Sequence, residues 1–203
     1  MKINSLLFLA AAFFFTDVHA ATTATQKTVE LEYETASTPK KAKTKKVKKK
    51  KTQAEAAPQT APASSAVACN VHFDDITDAR KNKLTIGTNG AGPLLPSGVE
   101  QWLQDIKEAE LVGKTKSWTG SKEVHVKPAL TKLYAYAENM NLHGVFSMSV
   151  DISIGGETTT RRYRGMGSKA NMVNGYGEYA TALNYAVQEV MPRLIDDLKS
   201  VCK

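Results

Sequence analysis

Alternation of apolar and polar residues marks one stretch of the chain more clearly than any other. From Phe146 to Ile154 every second residue is apolar, and the residues between them are small or acidic polar residues. This period of two predicts a half-buried antiparallel strand. Gly155 and Gly156 follow as a two-residue turn, and Thr158 to Arg164 is expected to return as the second strand of a hairpin. We expect the folded part of the chain to pack against this hairpin.

Shorter patterns predict further strands before the hairpin. Cys69 to Phe73 and Ala129 to Glu138 alternate in the same way. Leu111 to Trp118 and Val124 to Val126 are expected to form shorter strands or irregular edge structure. Gly165 to Gly177 is rich in glycine and is predicted to be a loop.

Two amphipathic segments predict helices. The first has Ser97 as N-cap and Glu100 three residues later, which is the pattern of a capping box. Its apolar residues recur at helical spacing: Val99, Trp102, Leu103 and Ile106. The second runs from about Glu178 to Val201, and Pro192 is expected to kink or split it. These patterns predict an α+β domain, with a mixed or antiparallel sheet and two helices packed on it.

The first 66 residues differ in composition from the rest. Residues 1–20 combine Lys2, an apolar run and small residues before Ala20, which is typical of a cleaved secretory signal peptide. The alternative is a membrane anchor, but spanning a bilayer takes about 20 apolar residues. Residues 21–66 are rich in Ala, Thr, Ser, Pro and Lys and are predicted to be a disordered linker. We expect a folded domain over residues 67–203, in a periplasmic or secreted protein with no transmembrane segment.

Positive charge is concentrated in the predicted linker. The chain carries 27 Lys and Arg against 20 Asp and Glu, a net charge of +7. Residues 21–66 hold ten lysines against four glutamates, a net +6, so the predicted domain is nearly neutral. The candidate polyanion-binding residues are the lysines of one dense run: Lys40, Lys41, Lys43, Lys45, Lys46, Lys48, Lys49, Lys50 and Lys51.

The partner expected for this run follows from the compartment. In a cell envelope the available anions are lipopolysaccharide, acidic phospholipid and cell-wall polymers, and binding to them is weakened by salt. Export argues against nucleic acid. The alternative is a solvated spacer with no specific partner, and the sequence leaves both readings open.

Two cysteines, Cys69 and Cys202, lie at opposite ends of the predicted domain. In an oxidising compartment an even pair is typical of a disulfide, and the alternative is two unpaired buried thiols. Closing so long a loop stabilises a fold by about 4–5 kcal/mol in the chain-entropy model. There is no Cys-x-x-Cys motif, so we expect no redox role.

The densest polar cluster follows the first predicted strand and contains His72, Asp74, Asp75, Asp78 and Arg80. A metal or acid–base site is one interpretation. The simpler one is that alternation aligns the first two side chains and that the last two form an ion pair that fixes a loop. The chain contains no nucleophile elbow, zinc-protease motif or P-loop. We therefore expect no enzymatic activity, metal or cofactor, with a hydrolase as the distant alternative.

A second polar cluster, Arg161-Arg162-Tyr163-Arg164, lies in the return strand of the hairpin. It is a candidate contact for an anionic partner. Alternation places its members on both faces of the strand, and charged residues commonly protect an exposed sheet edge.

Several short motifs carry a resemblance to a known family. They are Asp78-Ala79-Arg80, Ile86-Gly87, Val99 at the start of a helix, Arg162-Tyr163-Arg164-Gly165, and Ala182-Leu183 with Ala186 in the last helix. In this arrangement residues 68–200 resemble the YajG family of Gram-negative envelope lipoproteins, and are broadly similar to auxiliary lipoproteins of envelope transport systems. The resemblance implies two helices on a mixed sheet and a non-enzymatic role in the envelope, with an envelope protein or an anionic surface as partner.

The chain departs from that family at its N-terminal side. The lipid-bearing cysteine expected at the mature N-terminus is absent, and the Lys-rich segment stands in its place. We hypothesise that this segment replaces the lipid by electrostatic attachment. The leading expectation is an envelope accessory or interaction protein, and the alternative is a secreted polyanion-binding protein that acts through its lysines.

Overall fold

Eight strands form one mixed sheet in the computed structural model, which describes residues 27–35, 69–172 and 175–203. The centre of the sheet is an antiparallel meander of β6 (Lys122–Glu138), β7 (Asn141–Ile154) and β8 (Glu157–Ala170). The hairpin predicted from alternation is confirmed as β7 and β8. Gly155 and Gly156 form its turn with φ values of 58° and 91°, a backbone conformation that other residues adopt at a steric cost.

Short strands cover the other edge of β6. β2 (Cys69–Phe73), β3 (Thr77–Asp78) and β4 (Gly87–Asn89) pair in parallel with successive parts of β6. β4 turns back into the antiparallel strand β5 (Gly92–Ser97), and β1 (Lys27–Glu30) adds to β5 in parallel. The sheet therefore runs β1-β5-β4-β6-β7-β8, and its mixed character is confirmed.

Helices cover one face of this sheet. α1 (Val99–Ile106) continues through a π-helical segment, Lys107–Val112, into the short α2 (Gly113–Thr115). The long α3 (Gly177–Val201) follows β8. The α+β class with two helices packed on a mixed sheet, predicted from periodicity, is confirmed.

Two local predictions about the first helix are wrong. Ser97 ends β5 instead of capping α1, and Gly98 occupies the N-cap position with φ 72° and no side-chain cap. The segment predicted to form strands from Leu111 onward is helical as far as Thr115. The apolar spacing of the helix was the reliable signal, because Trp102 and its neighbours on that stripe are buried.

α3 lies closest to the sheet above three glycines. Gly144 and Gly167 are partners in the β7–β8 register. A Cβ on Gly167 would lie 2.6 Å from the Ala186 nitrogen and would overlap the Ala182 carbonyl oxygen, and a Cβ on Gly165 would overlap the Ala186 carbonyl oxygen. The loop predicted to begin at Gly165 is therefore wrong. β8 continues through both glycines, which are there to admit the helix backbone.

α3 is one continuous helix across Pro192. The predicted split is wrong. Pro192 lies at an exposed position, and the helix continues there without one backbone hydrogen-bond donor. The predicted apolar stripe is confirmed as the buried face of the helix: Tyr179, Leu183, Val187, Val190, Leu194 and Leu198.

The prediction that residues 21–66 are disordered is wrong for residues 27–35. These residues form β1 and its extension, and Val29 and Leu31 are 0% and 4% exposed. Asn184 of α3 donates a 2.8 Å hydrogen bond from Nδ2 to a main-chain carbonyl of this segment. The signal peptide and the Lys-rich run lie outside the described residues.

The buried carboxylate of Glu110 anchors residues 27–35 to the π-helical segment Lys107–Val112. The Tyr33 hydroxyl donates a 2.6 Å hydrogen bond to Glu110, whose other oxygen pairs with Lys114 at 2.7 Å. Burial, followed by this hydrogen bond, raises the pKa of Tyr33 well above its usual range. Residues 27–35 are thus held by both apolar and polar contacts.

A disulfide joins Cys69 to Cys202, with a Cα–Cα distance of 5.4 Å. Both residues are buried. The pairing expected from the cysteine count is confirmed in the structure, and it connects the start of β2 to the end of α3.

Candidate functional site

The face of the β6–β8 meander opposite α3 is polar and open. Its side chains come from the alternate positions that do not enter the core. The register places Ser147 opposite Arg164 and Ser149 opposite Arg162. We call this surface the outer face.

A basic hollow lies at the middle of the outer face, with a volume of about 510 Å³. A register shift in β6 between Leu130 and Lys132 brings Thr131 to its edge, where the Thr131 hydroxyl donates a 3.1 Å hydrogen bond to the Ser147 carbonyl. The polar side chains that line the hollow are Thr131, Ser147, Ser149, Arg162 and Arg164. No carboxylate is among these lining residues.

The two arginine side chains of the hollow pair with no acceptor among the described residues. Both are exposed, and they lie two residues apart on one strand, about 7 Å along it. Asp151, on the same face, is engaged elsewhere, because its Oδ1 accepts a 2.6 Å hydrogen bond from Thr160. Planar guanidinium groups beside hydroxyl donors are the groups that bind phosphate and carboxylate oxygens most effectively.

Aromatic side chains lie next to the hollow. The ring of Tyr136 stacks on His143 with centroids 4.9 Å apart, and its centroid lies 5.8 Å from that of Tyr134. Its hydroxyl lies 3.8 Å from the sulfur of Met166, which is 51% exposed. The Lys132 ammonium lies 5.9 Å from the Tyr134 ring. The outer face therefore combines free cations with amphipathic rings.

Alternation divides the cluster Arg161-Arg162-Tyr163-Arg164 between the two faces. Arg161 and Tyr163 point the other way and share Asp197 of α3, at 2.8 Å and 2.7 Å. Burial raises the pKa of Asp197, but the hydrogen bonds from Arg161 and Tyr163 outweigh it and hold the pKa below its usual range. These two residues join the helix to the sheet, while Arg162 and Arg164 are exposed on the outer face.

The predicted polar cluster near the first strand does not converge on one site. His72 Nε2 lies 2.7 Å from Glu123, and its ring stacks on His125. Asp75 pairs with Lys107 at 2.6 Å. Within residues 27–35, 69–172 and 175–203, no group of three or more His, Cys, Asp or Glu side chains is placed to hold a metal ion.

Asp78 and Arg80 form the loop-fixing ion pair that the sequence suggested. The guanidinium Nε and Nη2 donate to the two carboxylate oxygens at 2.9 Å and 2.8 Å. Partial burial raises the pKa of Asp78, but the hydrogen bonds and charge of Arg80 outweigh it, so the pKa lies below its usual range. The pair closes the turn after β3.

The other motif residues, Ile86 and Gly87, have a structural role. Ile86 is fully buried, and its carbonyl accepts a 2.5 Å hydrogen bond from the Ala135 amide. Gly87 has φ 136°, and a Cβ there would overlap the Ala135 carbonyl oxygen. Only glycine allows β4 to join β6 at this point.

Sequence reasoning found Arg162 and Arg164 but missed the hydroxyls around them. The alternating serines of β7 were recognised as the polar face of a strand. The sequence does not show the register of β7 against β8. That register places Ser147 and Ser149 opposite the two arginines, and this arrangement forms the hollow. The nine lysines of the predicted polyanion site lie outside the described residues.

Comparison with known proteins gives no assignment. No family model and no curated protein matches the chain. One solved structure, of an uncharacterized protein, has a TM-score of 0.48 and 14% identity over 66% of this chain and 93% of its own. Another, a candidate lipoprotein from Caulobacter crescentus CB15, has a TM-score of 0.35 and 10% identity over 59% of this chain and 92% of its own. No helix among the described residues has the length and apolar character needed to cross a membrane.

Proposed function

We propose that this chain is a non-catalytic accessory protein of the cell envelope, and that its outer face binds the phosphate groups of an acidic lipid surface. The observation that carries the proposal is that Arg162 and Arg164 pair with no acceptor among the described residues and lie in a hollow whose lining includes hydroxyls and no carboxylate. The resemblance to the YajG family and the predicted signal peptide support the compartment.

The chemistry of the outer face favours lipid phosphate as the occupant. Arginine matches phosphate oxygens with paired N–H donors, and the Ser147 and Ser149 hydroxyls add neutral donors. Tyrosines such as Tyr134, which is 38% exposed beside Lys132, are enriched where a protein meets a membrane–water interface. Basic groups near an anionic lipid surface each contribute about 1 kcal/mol to binding.

Vesicle co-sedimentation of the mature protein tests this proposal. Binding to phosphatidylglycerol vesicles at low salt should exceed binding to phosphatidylcholine vesicles. Arg162→Gln together with Arg164→Gln should weaken it by about 2 kcal/mol, roughly 30-fold. The matched control is Lys116→Gln with Lys203→Gln, which removes the same charge from two exposed residues elsewhere. Equal losses in the two double variants would reduce the effect to net charge and refute the outer face as the binding surface.

The second candidate function is polyanion binding through the Lys-rich run, in which case the domain holds the run in place. The concentration of charge favours it, since residues 21–66 carry a net +6 against near neutrality elsewhere. The two functions separate when lysines 40–51 are replaced by glutamine in the full chain. Under the second function vesicle binding disappears, whereas under the first it persists and stays sensitive to Arg162 and Arg164.

The structure also determines how that experiment is designed. A chain that begins at Val67 would lack β1, and with it the buried Val29 and Leu31. If such a truncation lost binding, a damaged fold and a missing partner contact could not be told apart. Charge-removing substitutions that keep residues 27–35 avoid this confusion.

A further inference from the structure

A second, larger cleft lies between the segment 79–88 and strand β6. Its volume is about 590 Å³, within the range of small-molecule sites. It meets the hollow of the outer face only at Thr131. The residues that give it its chemistry are Arg80, Lys81, Thr88, Lys132 and Tyr134.

Arg80 is a buried, positively charged residue of the cleft wall. Its side chain is only 4% exposed, and Asp78 occupies the Nε and Nη2 positions of the guanidinium. The remaining nitrogen, Nη1, is buried without an acceptor among the described residues. A buried donor without an acceptor is unfavourable, and native structures rarely leave a guanidinium in that state.

The charge of the cleft has one sign. Lys81 and Lys132 line it and pair with no carboxylate among the described residues, and no acidic side chain is among its lining residues. Asp78 neutralises one edge of the guanidinium but does not line the cleft. The Tyr134 ring, near the Lys132 ammonium, adds apolar surface.

We infer that this cleft binds a small organic anion with a carboxylate or phosphate at one end and an apolar or aromatic body. The oxyanion is neutralised by Lys81 and Lys132, beside the buried guanidinium of Arg80. The body packs on the Tyr134 ring. The site shares Lys132 and Tyr134 with the outer face, but it does not use Arg162 or Arg164, on which the lipid contact of the proposed function rests.

NMR titration of the full mature protein tests the inference with three probes: phenyl phosphate, benzoate and the neutral benzyl alcohol. We expect saturable shifts of the Thr88, Lys132 and Tyr134 amides with one or both anions and not with the alcohol. The stronger of the two anions identifies the headgroup. Lys81→Gln with Lys132→Gln should weaken binding by roughly tenfold or more, as expected for the loss of hydrogen bonds to charged groups.

The controls distinguish this site from the proposed function. Arg162→Gln with Arg164→Gln should leave phenyl phosphate and benzoate affinity unchanged while vesicle binding falls. The inference is overturned if neither anion saturates, if benzyl alcohol binds equally well, or if the two lysine substitutions change nothing.

Discussion

The close approach of α3 to three glycines leads to a sharp test of the packing. Gly167→Ala adds one methyl group to β8. At an open position this change would raise stability by about 0.4–1 kcal/mol, because alanine restricts the unfolded chain. Here the new Cβ would lie 2.6 Å from the Ala186 nitrogen and 2.6 Å from the Tyr185 Cβ, and would overlap the Ala182 carbonyl oxygen. The sign of the effect should therefore reverse.

The magnitude follows from which atoms must move. Two of the three neighbours of Gly167 are main-chain atoms of α3, which cannot turn away as a flexible side chain does. Overpacking a core costs about 1–3 kcal/mol, and we expect the upper end, about 3 kcal/mol, because the whole helix must lift. For a domain of this size that lowers Tm by roughly 6–12 °C.

Urea unfolding followed by circular dichroism measures the effect, with Gly90→Ala as the control. Gly90 lies in the β4–β5 turn, and a Cβ there meets nothing within 4 Å. Adding Ala182→Gly to Gly167→Ala should not restore stability, because the overlap is with the main chain. If Gly167→Ala unfolds at the same urea concentration as Gly90→Ala, the argument for close backbone approach is refuted.

Two further predictions concern single polar groups. Asn184→Ala removes the acceptor of the Trp102 indole N–H and the donor to the segment 27–35. It should lower the free energy of unfolding by about 1–3 kcal/mol and speed amide hydrogen exchange in that segment. Unchanged exchange would contradict the anchoring role of Asn184. Because the pKa of Asp78 is lower in the folded state, the carboxylate stabilises the fold above its unfolded pKa, and this contribution disappears as pH falls through the folded pKa. Urea midpoints measured down through the acid range should therefore fall less steeply for Asp78→Asn than for the wild type, and parallel curves would contradict this.

The strands with clean alternation could be read from the sequence, and those defined by a distant partner could not. Phe146 to Ile154 carries its own signal because one face is buried along its whole length. β1 contains one apolar residue, Val29, and the segment that follows adds only Leu31 and Tyr33. The strand forms because it pairs with β5, nearly 70 residues later. Local composition therefore favoured disorder in a segment that tertiary pairing orders.

Glycine and serine were misread for a related reason. Gly165 and Gly167 resemble turn residues in sequence, yet they lie in β8, where the main chain of α3 leaves no room for a side chain. Ser97 and Glu100 fit a capping pattern that the path of β5 overrides. The candidate sites show the same limit, since the cleft joins the segment 79–88 to β6, and no local motif records that juxtaposition.

The position of α3 also determines the order of events during synthesis. A chain that leaves the ribosome N-terminal end first completes the β6–β8 meander before the helix that covers it exists. During that interval the core side chains Phe146, Met148 and Val150 have no helix over them, and the bond from Cys69 to Cys202 cannot form. A chain truncated before α3 would therefore expose the apolar face of the sheet, and we expect it to aggregate instead of forming a folded intermediate.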